Sequence, residues 1–324
     1  MLRFVLRRAA SALLVMFSIS VLVFLIFFAT PGTDPAARIA GRNADQQTLR
    51  EVRKDFGLDK PMPVQYALMM KRLFISRDLT SFVNRGQEVV PQIVEAAPVT
   101  FSLVLGASVL WITFAIGLGL IAAVYRGTTL DVAVMIIGLI GISMPVFWLG
   151  EVVNMVTQQG GLSHTFVFSW VPQLGYVPLT ESPLGWFKAL LLPWLTLSVL
   201  YIGLYARVLR SSLVEAQEED YVRTARAKGL SERRVLLRHS LRTSLIAFVS
   251  LFGLDFGALV GGGALLVEVV FNLHGLGWLT YQSLQQFDLP VIMATVVYAA
   301  FFVVVVNAVV DLMYALLDPR VRHA

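Results

Sequence analysis

The chain contains no cysteine, which excludes disulfide frameworks, thiolate metal sites and cysteine nucleophiles together. Charge is scarce: 15% of the 324 residues are Asp, Glu, Lys or Arg, against roughly 25% in an ordinary soluble domain. Four histidines, His164, His239, His274 and His323, are scattered without an HExxH or paired spacing, so no metal site is expected. No GxxxxGK[ST] occurs, and Gly261-Gly262-Gly263 has no lysine after it, so the chain has no phosphate cradle of its own. GxSxG is missing as well. The expectation is a protein that is not an enzyme by itself and holds no cofactor.

What fills the chain instead is apolar. Hydrophobic residues make up 57% of it, and its mean hydropathy is +0.73. Covered with so few charges, two soluble domains would leave large apolar patches in water. Lipid is the better solvent. A hydrocarbon core of about 30 Å needs about 20 apolar helical residues to cross it, and six stretches qualify: 9–29, 99–124, 131–156, 188–208, 244–270 and 291–316. The sequence therefore predicts an all-α, polytopic integral membrane protein with six transmembrane helices in a single transmembrane domain, 1–324. The apolar run at 9–29 is too long for a signal-peptide core of about 7–15 residues, so it is read as an uncleaved first helix.

Orientation follows from the short loops. Segment 209–243 carries Arg210, Arg223, Arg226, Lys228, Arg233, Arg234, Arg238 and Arg242, whereas 157–187 and 271–290 contain no Lys or Arg. The positive-inside rule then places both termini and 209–243 in the cytoplasm. It also accounts for the net charge of +5 without nucleic acid as a partner; the expected non-protein partner is membrane lipid. Segment 30–98 lies outside in this topology despite its ten Lys/Arg, because loops beyond about 60 residues escape the charge rule. Within it, Leu49, Val52 and Phe56 fall on one face and predict a short helix over 44–56.

The densest signal is EAQEEDYVRTARAKGLSERRVLLRHSLR, 215–242. Asp220 is a good N-cap type for a helix through Tyr221, Val222, Thr224, Ala225, Arg226 and Ala227. Gly229, lacking a Cβ, can end it in the left-handed conformation after Lys228. Leu230 follows, and Ser231 caps a second helix. Val222, Ala225 and Gly229 recur at i, i+3 and i+7, a small-residue stripe that would admit a second surface, with Arg226 and Lys228 as charged flanks.

DYVRTARAKGL resembles the EAA loop of permease subunits in binding-protein-dependent ABC importers, the oligopeptide/dipeptide/nickel branch and its first-permease type. Other pieces are similar in the same order: PGTDP at 31–35, FGLDKPMPVQY at 56–66, PVTFSLVLGA at 98–107, SMPVFWLG at 143–150, LVEVVFNLHGLG at 266–277 and DLMYALLDPR at 311–320. The chain departs where Arg77 replaces a usual glycine, and where Ala247 replaces a common proline. The resemblance implies a type I importer permease in the plasma membrane of a bacterial or archaeal cell. It also implies a sister permease, two cytoplasmic ABC ATPase subunits, one of which takes residues 220–230 in a cleft, an extracytoplasmic solute-binding protein, and peptides or a similar small solute as cargo. The alternative is an ion-coupled secondary transporter, which calls for inverted repeats and broken helices; the sequence suggests neither.

Ionisable groups at membrane depth face protein or a water-filled path. Glu151 and Asp255 are read as candidates for pathway lining, whereas Glu268 and Asp311, near span ends, are read as structural. Gly253, Gly257 and Gly261 repeat every four residues and predict a helix-packing face.

Overall fold

In a computed structural model, residues 2–28, 36–37, 46–55, 57–84, 86–159, 165–166 and 168–317 are described, apart from the side chains of 2–9, 27–28, 48, 51, 55, 159 and 310–317. The PGTDP and DPR motifs and the side chain of Asp311 lie outside the described residues. The described chain is helical, with a single isolated antiparallel bridge between Thr80 and Glu88. Its helices are α1 (Leu2–Phe28), α2 (Gln46–Asp55), α3 (Met62–Lys71), α4 (Val89–Val124), α5 (Thr129–Ser143), α6 (Val146–Asn154) and α7 (Pro183–Glu218). They continue as α8 (Asp220–Ala227), α9 (Glu232–Gly263), α10 (Leu265–Val270), α11 (Leu276–Gln286) and α12 (Leu289–Leu317).

Helices α4, α7, α9 and the Leu289–Val309 part of α12 are each long and apolar enough to cross a membrane. α1 contributes a shorter apolar stretch, Ala10–Ile26. The expected third span is not one helix: α5 and the helix that follows it are bent by 90° at their junction. Pro145 is the cause, since a proline disfavours helical backbone at the residue before it, and Met144 is extended at φ −89°, ψ 126°. The expected fifth span is likewise interrupted. Gly262, at φ +121°, takes a backbone that side-chain-bearing residues avoid, and breaks the last turn of α9 before α10 begins. Conversely, α7 runs through Pro193 unbroken and continues to Glu218, ten residues beyond the expected end of the fourth span at 208. Leu209, Leu213 and Ala216 on that extension are buried.

The chain divides into two compact units. One holds residues 1–100 and 274–304, and its core joins Phe24, Leu73, Phe82, Val89, Ile292 and Met293. Buried Asp288 accepts from the Ser81 hydroxyl and, at 3.0 Å, from the Phe82 amide. Within this unit the helix expected over 44–56 is seen as α2, with Val52 buried. Arg77 has φ +59°, the left-handed conformation that explains why glycine is the easier residue there.

The second unit holds residues 101–273 and 305–324. α5 lies along α7 at a glycine crossing: a Cβ on Gly203 would stand 2.3 Å from the Gly138 carbonyl oxygen. One turn away, a Cβ on Gly141 would stand 2.9 Å from the Val199 carbonyl oxygen. Near the start of α5, Arg210 of α7 grips Asp131 with two hydrogen bonds of 2.6 Å each, and the Gly127 amide adds a third at 3.0 Å. Trp194 lies against Gly106 of α4, and its indole N–H donates to the Ser102 carbonyl at 2.9 Å.

Candidate functional site

The hairpin at the end of α7 is built by its sequence. Glu219 breaks the helix by turning to φ −72°, ψ 148°. α8 starts at once with Asp220 in its first turn, where a negative charge suits the helix dipole. The helix ends on a Schellman arrangement: the Gly229 amide donates to the Arg226 carbonyl at 2.9 Å, and the Leu230 amide to the Ala225 carbonyl at 3.3 Å. Gly229 has φ +75°, and a Cβ there would meet nothing within 4 Å. Its glycine is required by backbone angle, not by space. After Ser231, extended at φ −63°, ψ 144°, α9 begins.

The small-residue stripe does not play the part its spacing suggests. The Val222–Ala225 stripe is not open to a partner: both residues are buried against Val235, with Leu230 packed on them. The hairpin spends its apolar stripe on its own two-helix core. What it exposes is the opposite face, Tyr221, Arg223, Thr224, Arg226, Ala227, Lys228 and Gly229. Arg226 is not a free clamp either; its guanidinium donates to both Glu232 carboxylate oxygens at 2.9 and 3.2 Å. That ion pair closes the two arms of the hairpin. The Tyr221 hydroxyl also reaches Thr243 Oγ1 at 3.3 Å, and Thr224 Oγ1 donates back to the Asp220 carbonyl at 2.8 Å. Lys228 carries no ion pair among the described residues and stands at the exposed tip.

The two acids are placed differently from each other. Glu151, on α6 just past the bend, is exposed, and its carboxylate makes no hydrogen bond or ion pair among the described residues. Asp255, on α9, is half-buried, and accepts from the Tyr205 hydroxyl at 2.8 Å. Gly253 and Gly257 are buried, whereas Gly261 is half-buried in the final loosened turn of α9. The tightest interhelical approaches are elsewhere, at Gly138, Gly141 and Gly203 and at Gly106. A repeat along one helix does not reveal them, because each contact joins residues on separate helices: Gly138 with Gly203, Gly141 with Val199, and Gly106 with Trp194. The Asp131–Arg210 pair was missed for the same reason: its partners are 79 positions apart.

Comparison with known proteins covers nearly the whole chain. A family model described as the binding-protein-dependent transport system inner membrane component matches residues 115–323. The corresponding N-terminal model matches residues 1–104. A chain from Brucella abortus named for a peptide transport system permease is 39% identical over 319 residues, 98% of each chain. A peptide ABC transporter permease from Sinorhizobium fredii is 34% identical over 322 residues, 99% of each. The glutathione transport system permease protein of Salmonella typhi is 36% identical over 327 residues, 100% of each.

Proposed function

Since the chain belongs to the family of binding-protein-dependent transport system inner membrane components, we propose that it carries peptides or a similar small solute across the plasma membrane by alternating access, driven by separate ATPase subunits. Family membership makes it the transmembrane subunit of an ABC importer, which uses ATPase and solute-binding partners. The finer composition is part of this proposal: a sister permease, two cytoplasmic ATPases and an extracytoplasmic binding protein. So is the topology, in which α1, α4, the bent pair α5–α6, α7, α9 and α12 cross the membrane, with both termini inside and 30–98 outside. The names of the relatives support a peptide cargo.

The observation that carries the mechanism is the continuity of α7 with the hairpin. α7 is one 36-residue helix, about 54 Å long at 1.5 Å per residue, and its last turn leads directly into α8. A surface that grips residues 220–230 moves a rigid rod. The hairpin suits that role because its own core, the Gly229 cap and the Arg226–Glu232 pair make it a compact unit, with Tyr221, Arg223, Thr224 and Lys228 outward. ATP-driven closure of two ATPases, each holding such a hairpin, would swing α7 and the helices packed on it. Affinity purification of the tagged chain from its own cell tests the reading. Stoichiometric recovery of ATPase subunits is expected; recovery of the chain without any ATPase contradicts it.

A further inference from the structure

In the second unit, three helices bring one set of rings to the only carboxylate of α9 that lies within its apolar stretch. α4 supplies Trp111; α7 supplies Tyr201 and Tyr205, one turn apart. α9 supplies Phe248, Phe252 and Asp255 at i, i+4 and i+7, on one face. The Trp111 and Tyr201 rings stack with centroids 4.7 Å apart, Trp111 and Phe252 lie 6.0 Å apart, and Tyr205 meets Phe248 edge-on at 4.9 Å. Trp111, Tyr205 and Phe248 are buried and form a floor. Tyr201, Phe252 and Asp255 are half-buried and form its accessible rim.

Two polar groups in this cluster have capacity left over. Tyr205 donates to Asp255 Oδ2 at 2.8 Å and fixes the carboxylate, while Oδ1 accepts no hydrogen bond among the described residues. No Lys, Arg or His pairs with Asp255 among them either. The buried indole N–H of Trp111 also has no partner among the described residues. A carboxylate held at membrane depth without a resident cation is expensive, and a buried polar group without a partner calls for an explanation.

We propose that Asp255 and the rings around it receive the protonated amino terminus of a peptide during its passage. The inference rests on the peptide reading above and goes further by naming the end of the cargo and the residues that meet it. An ammonium supplies the charge and the N–H donors that Oδ1 lacks. The faces of Tyr201 and Phe252 add cation–π attraction, which grows when the site is desolvated. A resident Lys or Arg would neutralise Asp255 permanently; a cargo cation does so transiently, so the site empties when the cargo moves on. Glu151, exposed beyond the bend in the third span, takes no part.

Saturation-transfer NMR on the reconstituted complex, without any solute-binding protein, tests this on the permease itself. The probes are trialanine and N-acetyl-trialanine, which differ in the ammonium. Wild type is expected to bind trialanine at least 10-fold more tightly than the acetylated form. Asp255→Asn should reduce that preference to below 3-fold by weakening trialanine alone, and Tyr205→Phe should reduce it part of the way. Both variants should co-purify with their partners at wild-type levels; if Asp255→Asn does not assemble, Tyr205→Phe and the wild-type preference still decide. Equal binding of the two probes by wild type, or a preference that survives Asp255→Asn, overturns the ammonium site and leaves a peptide cargo standing. Binding of neither probe by wild type overturns the peptide reading and the site together. Equal loss of both probes in Asp255→Asn and Tyr205→Phe reduces the pair to a helix-to-helix fastener, and also overturns the site.

Discussion

At the tip of the hairpin, Gly229 has φ +75° and empty space where a Cβ would stand; at the α5–α7 crossing, Gly203 has helical backbone and the Gly138 carbonyl 2.3 Å from where its Cβ would stand. The two glycines answer different physical demands. At Gly229 the cost of a side chain is local, and falls on a surface that the rest of the fold does not use. At Gly203 the cost falls on backbone that has no room to move. The hairpin is therefore a region where function can be lost with the fold intact. The crossing is one where the fold goes first.

The largest expected effect is at the crossing's ion pair. Asp131→Asn removes the charge that Arg210 grips with two short hydrogen bonds, and leaves a half-buried cation short of its partner. Removing one member of a buried pair costs about 3–5 kcal/mol; with Arg210 still 24% exposed, the lower end is expected. Thermal unfolding of the purified complex should show it as a marked loss of stability, and an unchanged midpoint would make the pair dispensable. Next comes Gly203→Val. Overpacking costs about 1–3 kcal/mol and at times more, and here the obstacle is main chain. Membrane accumulation should drop severalfold, whereas normal accumulation would mean that α5 and α7 can separate freely.

Gly229→Val sharpens the comparison from the other side. A left-handed backbone costs a residue with a Cβ about 1–2 kcal/mol, and β-branching adds to it. That strain is confined to the hairpin. The variant should reach the membrane at near-normal levels yet transport poorly, with ATPase activity uncoupled from cargo or the ATPase lost. Full transport would reduce the hairpin to a charged connector. The smallest effect belongs to Gly229→Asn, because asparagine tolerates left-handed backbone and no neighbour blocks its Cβ. Most transport should remain; a defect as deep as valine's would show that the docked surface needs the space and not the angle.

The sequence made much of the hairpin legible because its signals are local. A charged helix, a glycine stop and a helix restart after Ser231 all fall within 28 consecutive residues, 215–242. Even there, the stripe of Val222 and Ala225 pointed the wrong way, since periodicity finds an apolar face without saying what covers it. The long apolar helices were legible from hydropathy, but the breaks at Pro145 and Gly262 were not, because apolar length carries no information about direction. The extension of α7 past 208 was hidden by its charges: Leu209, Leu213 and Ala216 keep helical spacing beneath them. The Gly138–Gly203 contact, the Asp131–Arg210 grip and the Asp255 ring cluster depend on helices far apart in sequence. No single stretch records them.

The central claim, that the exposed face of residues 220–230 is where an ATPase docks, can be tested by placing one reactive group on it. With no cysteine in the chain, Lys228→Cys introduces a single thiol that a benzophenone maleimide will label uniquely within this subunit. Photolysis of the assembled complex should then give an adduct between this chain and an ATPase subunit, while the same label at exposed Ser169 should give none. Absence of an ATPase adduct from position 228 in a complex that contains ATPase subunits, or an adduct to the solute-binding protein instead, would contradict the account.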